Sequence, residues 1–444
     1  MTKELPSPFG GSLALVSYET YAEHIAQLQQ ATEAALAKHE FEALVLCSGA
    51  AQLKNRFDDQ TWPLSPTPTY AHWCPLVEPD AYVIVRPGKK PTLVRTVVDD
   101  FWETATPPES DHFWEAFDVV TVGAGLAGDV LPGGKVAVIT RDAGQAPPGD
   151  VNPTELIGAL DQIRTIKTAY EIECLVEASR RAVIGHRAIQ KRFLESEVSE
   201  LELHLTYLLA SEQDDAVAPY KNIVALGEHC AVLHYVAYQN VKVAGPTSML
   251  VDAGAKCQSY GSDITRTYAR GDGAAANRFR ALIGRLDEMQ QQIVALIKPG
   301  IPYEDLHDET HRMLAKLLIE TGIGKGSVDE LATRGVTRAF LPHGLGHSLG
   351  VTVHDVGMKQ RPPRPENKFL RNTSTIEAGQ VFTIEPGLYF IEGLLGPLRA
   401  GDASTLVDWK AVDELRPFGG IRIEDNILVR TAGVRNLTRE AFSA

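Results

Sequence analysis

The sequence predicts an α+β C-terminal domain behind a smaller α/β domain, and three observations carry that expectation. The chain of 444 residues exceeds the size at which one hydrophobic core usually stops growing, so two domains are expected. Helix-period and strand-like segments alternate through residues 1–160, the pattern of an α/β domain. Over residues 161–444 the order changes to long amphipathic helices, followed by strand-like runs separated by turn signals.

In the first domain, apolar and alanine positions recur at helical spacing from Tyr18 to His39, and the short apolar run Ala43–Cys47 follows as a strand. Further strands are expected at Ala81–Arg86, Pro91–Val98, Val119–Val122 and Lys135–Thr140, before the loop at 144–153. In the second domain IKTAYEIECLVEASRRAVIGHRAIQKRF reads as one long amphipathic helix, and another begins near Ser199. Strands are expected at NIVALG, AVLHYV, MLVDAG and DITRTYAR, helices at Ala276–Ile297 and Tyr303–Thr321, and strands again at VFTIEPGLYF and IRIEDNILVR. The Pro-, Arg- and Asn-rich stretch Lys359–Gly379 reads as a long loop, and long loops in compact domains are often functional.

Composition narrows the function classes. The 43 basic and 57 acidic residues leave a net charge of −14, which disfavours nucleic acid or an anionic membrane as the main partner. The N-terminal MTKELPSPFGGSLALVSYET lacks a basic segment followed by a long apolar one, and no later run is long enough to span a membrane, so a cytoplasmic protein is expected. Five cysteines without a C-x-x-C pair indicate neither a disulfide framework nor a thiolate zinc site.

The chemistry sits in five segments of the second half. Asp252 in MLVDAG and Asp263 in SDITRTYAR flank a glycine-containing turn, and two antiparallel strands would place both carboxylates on one face, with Thr265 beside Asp263. LPHGLGHSLGVTVHDVG crowds His343, His347 and His354 among glycines. It is not the zinc-protease H-E-x-x-H pattern, because Gly344 follows the first histidine; one histidine ligand with two proton-moving neighbours fits better. Glu385 and Glu424 each lie within an otherwise apolar run, where an ionised carboxylate costs several kcal/mol unless it is paired or binds a metal. Alternation places Arg422 beside Glu424, so an Arg–Glu pair is one reading and orientation of a ligand carboxylate or substrate another. His234, alone on an apolar run, and His229 on the preceding turn read as structural on their own. Asp252, Asp263, His347, Glu385 and Glu424 together are mostly hard donors with a charge of −4, which two divalent cations would neutralise. A two-metal hydrolase is the first reading.

VDAG with SDITRT, PHGLGHSLG with VHDVG, TIEPGLYF and GGIRIEDN resemble, in order and context, the signatures of the pita-bread metallopeptidases, the family of methionine aminopeptidase, aminopeptidase P, prolidase and creatinase. The resemblance covers roughly residues 165–430 and implies a pita-bread domain preceded by a creatinase-type N-terminal domain that serves dimerisation and rims the active site. It implies Asp252 on one metal, Asp263 and Glu424 bridging, and His347 with Glu385 on the second, while His234 and His354 act at the reacting centre and His343 supports it. Within the family, APYKNIVALGEHCAVLHY, FLRNTSTIEAGQ and the long link between the two glutamates resemble the bacterial proline dipeptidases and the related organophosphorus acid anhydrolases. That branch implies Arg371 as the grip on the dipeptide carboxylate, Arg399 as a second candidate, Tyr220 as a pocket tyrosine, and Asp58 or Asp59 contributed across a homodimer interface.

The implied reaction is hydrolysis of Xaa-Pro dipeptides by a water bridging two metal ions, with Glu385 moving the proton and Arg422 among the catalytic group. Mn²⁺ is the expected ion, with Co²⁺ or Zn²⁺ as alternatives. An aminopeptidase P acting on longer peptides and a non-catalytic pita-bread binding protein are the rival readings, and phosphotriester hydrolysis is an expected side activity.

Overall fold

The computed structural model describes residues 17–96, 113–123 and 130–444; the expected strand end at Val97 and Val98 and the leader reading over residues 1–16 lie outside them. The chain forms two compact units, Met1–Cys174 with Gln258–Tyr260, and Leu175–Cys257 with Gly261–Ala444.

The first unit is built on a six-stranded sheet. Its strands are β1 (Ala43–Cys47), β2 (Tyr82–Val85), β3 (Thr92–Thr96), β4 (Asp118–Val122), β5 (Val136–Ile139) and β6 (Asp150–Val151), ordered β4-β3-β2-β1-β5-β6. β1–β2 and β2–β3 are antiparallel and the other pairs parallel. Every residue of β1, β2 and β5 is buried, which explains why these strands read as unbroken apolar runs rather than alternating ones. The helix Tyr18–Lys38 starts where expected because Ser17 caps it, its hydroxyl accepting from the Glu19 amide.

In the second unit β7 (Ile223–Leu226), β8 (Thr247–Asp252) and β11 (Thr265–Arg270) form one sheet in the order β11-β8-β7. Two short strands, β9 (Lys256–Cys257) and β10 (Tyr260–Gly261), shape the hairpin between β8 and β11. β12 (Val381–Ile384), β15 (Asp425–Val429) and β16 (Val434–Asn436) form a second sheet, and β13 (Gly387–Tyr389) pairs with β14 (Gly420–Arg422). Helices Ala274–Ala295 and Tyr303–Glu320 bury Phe279, Leu286, Ile293, Leu314 and Leu318 in the apolar core shared with Phe382, Ile384, Ile421 and Ile427. Ser199 and Glu202 form a capping box that starts the helix Glu200–Ser211.

Three sequence expectations change. AVLHYV is not a strand: a 3₁₀ helix spans Gly227–Ala231 and the chain then turns, because Glu200 draws this segment inward. VFTIEPGLYF is two strands, not one, since Pro386 has no N–H for the ladder. IRIEDNILVR likewise breaks at Ile423 and Glu424. The two glutamates therefore stand at the crossover between the β12–β15 and β13–β14 pairs, held by bonds from the Glu385 amide to Leu345 O at 2.8 Å and from the Glu424 amide to Thr265 O at 3.1 Å.

The segment before His347 lies along β12 rather than coiling into a helix. The Thr383 amide donates to His347 O at 2.9 Å, and the His347 amide donates to Thr383 Oγ1 at 3.1 Å. Gly346 permits this approach, because a Cβ there would fall 2.1 Å from Thr383 O and 2.5 Å from the Tyr303 hydroxyl. Gly346→Ala is expected to destabilise the protein by about 1–3 kcal/mol through overpacking. Gly284, exposed in the helix Ala274–Ala295 with nothing within 4 Å of its missing Cβ, is expected to stabilise by about 0.5–1 kcal/mol on change to Ala. Chemical denaturation of the two variants checks both signs.

Candidate active site

Asp252 ends β8 opposite Thr265 of β11, and Asp263 lies two residues before Thr265, so the hairpin delivers both carboxylates to one end of the sheet. The Tyr220 hydroxyl lies 2.7 Å from Oδ1 of each. Asp263 turns its other oxygen the opposite way, with Oδ2 3.4 Å from His347 Nε2. The same nitrogen lies 3.6 Å from Glu385 Oε1 and 4.0 Å from Glu424 Oε1. Donor atoms of Asp263, His347 and Glu424 all fall within 4.8 Å of one another. Asp263 thus stands between two halves of the site, one oxygen toward Asp252 and the other toward His347.

The surrounding groups fix how these donors point. His347 Nδ1 lies 3.1 Å from Ser348 O, so Nδ1 carries its proton and Nε2 is turned to the carboxylates. Thr265 donates to Glu424 Oε2 at 2.6 Å and accepts from Arg422 Nε at 3.1 Å. Arg422 donates through Nη2 to Asp252 Oδ2 at 2.6 Å and through Nη1 to the Tyr389 hydroxyl at 3.1 Å. Tyr389 in turn lies 2.8 Å from His343 Nε2, whose Nδ1 is 2.8 Å from Gly344 O. Of the two readings of Arg422, the direct pair with Glu424 does not form, because the strand breaks after Arg422 and the alternation ends there; Arg422 instead orients the carboxylate of Asp252, and Thr265 links it to Glu424.

The donors open into a cavity of about 680 Å³ that His234, His343, His354, Arg371 and Arg422 also line. Leu233, Phe369, Ile391 and Leu394 supply apolar wall. His354 packs edge-on against His347, ring centroids 4.4 Å apart. His234 and Arg371 are exposed at this cavity. Tyr220 meets the two aspartates but is not part of the wall. Arg399 is not brought to the site: it pairs with Asp413 at 2.5 Å and covers Trp409, because the helix Glu392–Ala400 turns it outward. Asp58 and Asp59 belong to the other compact unit. His229 is structural, bonded to Glu200 and stacked on Tyr235.

The electrostatics ask for cations. Burial pushes Asp252 up to about 6 and Glu385 up to about 7, and burial with the Asp263 charge raises Glu424 well above the usual carboxylate range. Burial is the largest influence on Asp263 and pushes it up, but the hydrogen bond and charge of His347, the Tyr220 hydroxyl and the His354 charge together outweigh it and hold the carboxyl low. His347 is raised despite burial, chiefly by Asp263 and Glu385. In the metal-free protein a proton on His347 Nε2 faces those carboxylate oxygens, the place a cation would take. Only Arg422 among these groups is a permanent cation, and it is committed to Asp252. A set of four carboxylates and one imidazole is chemically suited to hold divalent ions, and Asp263, His347 and Glu424 already bring donor atoms within 4.8 Å of one another.

Sequence reasoning missed Tyr389, the link between Arg422 and His343. A signal existed: a Cβ on Gly420 would sit 2.5 Å from the Tyr389 ring, so this glycine in GGIRIED leaves the space the ring occupies. The apolar wall residues Phe369 and Leu394 carried no pattern that would single them out.

Because folded Glu385 titrates near 7 against an ordinary 4.5, the metal-free folded state keeps its proton longer than the unfolded chain does, and the carboxylate opposes folding increasingly as pH rises from about 4.5 through 7. Metal-free Glu385→Gln is expected to melt with the wild type near pH 4 and a few degrees above it at pH 8. A difference in Tm that does not grow with pH would contradict this origin.

Residues 173–431 match metallopeptidase family M24, and residues 19–162 match the Xaa-Pro dipeptidase N-terminal domain. The chain is 42% identical over 421 residues to the Xaa-Pro dipeptidase of Marinobacter nauticus, covering 94% of this chain and 97% of that one. It is 40% identical over 442 residues to the Xaa-Pro dipeptidase of Aeromonas hydrophila, covering 95% and 98%. Among solved structures, Escherichia coli aminopeptidase P with the inhibitor Pro-Leu superposes with a TM-score of 0.74 at 21% identity, covering 96% of each chain, a likeness of fold. Proline aminopeptidase P II from Yersinia pestis gives 0.71 at 23% identity, covering 94% and 96%. Two family matches that together span nearly all the described chain, and relatives at about 40% identity along its length, place it: the chain belongs to metallopeptidase family M24, in the Xaa-Pro dipeptidase branch.

Proposed function

We propose that this protein hydrolyses Xaa-Pro dipeptides with two divalent cations held by Asp252, Asp263, His347, Glu385 and Glu424. The observation that carries the reading is the convergence of those five donors at the floor of one cavity that Arg371 also lines. When bound, the cations supply Lewis acidity to the scissile carbonyl and to the attacking water. Mn²⁺ is the ion we assign, on the hardness of the oxygen-rich donor set.

The chain's own groups do the rest. Glu385 takes the proton of the attacking water and delivers it to the departing proline nitrogen. His354 and His234 stand at the cavity wall, placed to hydrogen-bond the oxygen on which charge develops. His343 is held neutral, its imidazole pushed down to about 3 by burial and by Arg422, and with Tyr389 it keeps Arg422 aimed at Asp252. An X–Pro amide offers no N–H, so recognition falls to shape and to the terminal charge. Leu233, Phe369, Ile391 and Leu394 give an apolar surface for the proline ring, and Arg371 grips its carboxylate. That grip closes the site to longer peptides, and phosphotriesters enter as promiscuous substrates.

We further infer a cytoplasmic homodimer. Five buried cysteines without a C-x-x-C pair suit a reducing compartment, and no helix among the described residues is long and apolar enough to cross a membrane. For the N-terminal domain, residues 1–160, a dimer contact is supported by the loop of Asp58 and Asp59, where Phe57 is 86% and Trp62 59% exposed.

Metal-stripped protein is expected to be inactive and to cleave Ala-Pro, but neither Ala-Pro-Ala nor Ala-Ala, once Mn²⁺ is restored. Cleavage of the tripeptide would move the assignment to aminopeptidase P, and no cleavage with any divalent ion would favour a binding protein. Arg371→Ala is expected to raise KM for Ala-Pro about 10- to 100-fold with a smaller change in kcat, the loss of one charge-assisted contact to the substrate. A fall in kcat with KM unchanged would assign Arg371 elsewhere.

A further inference from the structure

One buried carboxylate gathers four donors from the loop that carries His234. Glu200 opens the helix Glu200–Ser211 and is 2% exposed. Its Oε1 accepts from the Leu226 amide at 3.0 Å and from His229 Nδ1 at 2.7 Å. Its Oε2 accepts from the Tyr235 hydroxyl at 2.6 Å and from the Gln239 amide at 2.9 Å. All four donors come from one stretch, residues 226–239, and the segment between them, Ala231 to His234, lines the active-site cavity.

The stretch has other ties on either side of His234: Cys230 Sγ donates to Ala225 O at 3.3 Å, Tyr238 stacks on His204, and the Leu201 amide donates to Gln239 O at 3.1 Å. It is neither helix nor strand beyond Ala231, and Val232, His234 and Val236 are exposed. Tyr235, directly after His234, is by contrast 9% exposed, stacked on His229 at 4.5 Å and bonded to Glu200. The chain direction at His234 therefore depends on Tyr235 turning inward, and Tyr235 turns inward onto Glu200. A buried carboxylate that accepts four donors is costly to replace. Glutamine keeps the shape but offers one acceptor oxygen, and its amide NH₂ would face two donors.

We propose that Glu200 is a positioning residue for His234: by gathering Leu226, His229, Tyr235 and Gln239 it sets the place of the His234 imidazole in the cavity. None of the four groups bonded to the Glu200 carboxylate is a metal donor or a cavity-wall residue, so its effect on the reaction passes through the loop. This inference rests on the proposed dipeptidase reading for its kinetic consequence, and on the loop geometry alone for its structural one.

The test is a double-mutant cycle on the Mn²⁺-loaded enzyme with Ala-Pro, combining Glu200→Gln with His234→Ala, together with hydrogen exchange across residues 226–239. Glu200→Gln is expected to lower kcat/KM about 10- to 100-fold, the range for a displaced active-site group, with metal content unchanged. In the His234→Ala background the same change is expected to cost almost nothing further. The amides of Leu226 and Gln239 are expected to lose protection. Tyr235→Phe, which removes one of the four donors and leaves the fold, is expected to give a smaller loss that also vanishes without His234, and it decides the matter if Glu200→Gln does not fold. Equal losses in both backgrounds, or full activity with unchanged exchange, would overturn the proposal. If the wild type cleaves no Xaa-Pro peptide, the dipeptidase reading falls while the exchange data still decide the role of Glu200 in the loop.

Discussion

Four carboxylates held together out of water repel one another, and that repulsion is the constraint on which the second unit is built. Asp252, Asp263, Glu385 and Glu424 share one pocket floor with His347 and with Arg422, whose guanidinium is bonded to Asp252. Burial raises three of the four toward neutrality, the response of acids that cannot all ionise side by side. Two divalent ions would remove the conflict and turn its cost into binding energy, which is why the site reads as a metal centre rather than as a strained ion-pair network.

The architecture follows from keeping those donors fixed. Each half of the site comes from a place where a strand ends: Asp252 at the end of β8, Glu385 after β12, Glu424 between β14 and β15. A strand interior would commit the backbone to its ladder and alternate the side chains. At an interruption the backbone bonds elsewhere, as Glu385 does to Leu345 and Glu424 to Thr265, and the side chain can turn inward. Around this, neutral links hold the charges in place. Thr265 joins Arg422 to Glu424, Tyr389 joins Arg422 to His343, and Ser348 orients His347, so the donor atoms are set by bonds that carry no net charge of their own.

The five candidate donors stood out in the sequence as a set: Glu385 and Glu424 break a local rule on their own, while the aspartates and His347 are ordinary singly and gain meaning from the pair and the histidine cluster they belong to. A glutamate in an apolar run has no cheap structural explanation, and with the aspartate pair and the histidine cluster in order beside it the set pointed to one chemistry. The helices were legible from their period and caps, as with Ser199 and Glu202. What the sequence hid was whatever depends on a distant partner. AVLHYV looks like a strand because its composition suits one, and only the long-range pull of Glu200 on Tyr235 makes it a turn. Arg422 appeared to pair with Glu424 by alternation, but the ladder ends between them. Arg399 looked like a second anion grip from its place in PLRAG, yet helix rotation turns it to Asp413. Tyr389 was missed because a tyrosine in a strand needs no special reason until its hydroxyl is seen between an arginine and a histidine.

The central claim is that the buried acids exist to hold two cations, and the most direct test is the Mn²⁺ stoichiometry of the folded protein by native mass spectrometry. The account predicts two ions per chain, falling to one or none in Asp263→Asn, because that carboxylate faces both halves of the site. One ion per chain in the wild type, or two retained in Asp263→Asn, would contradict it.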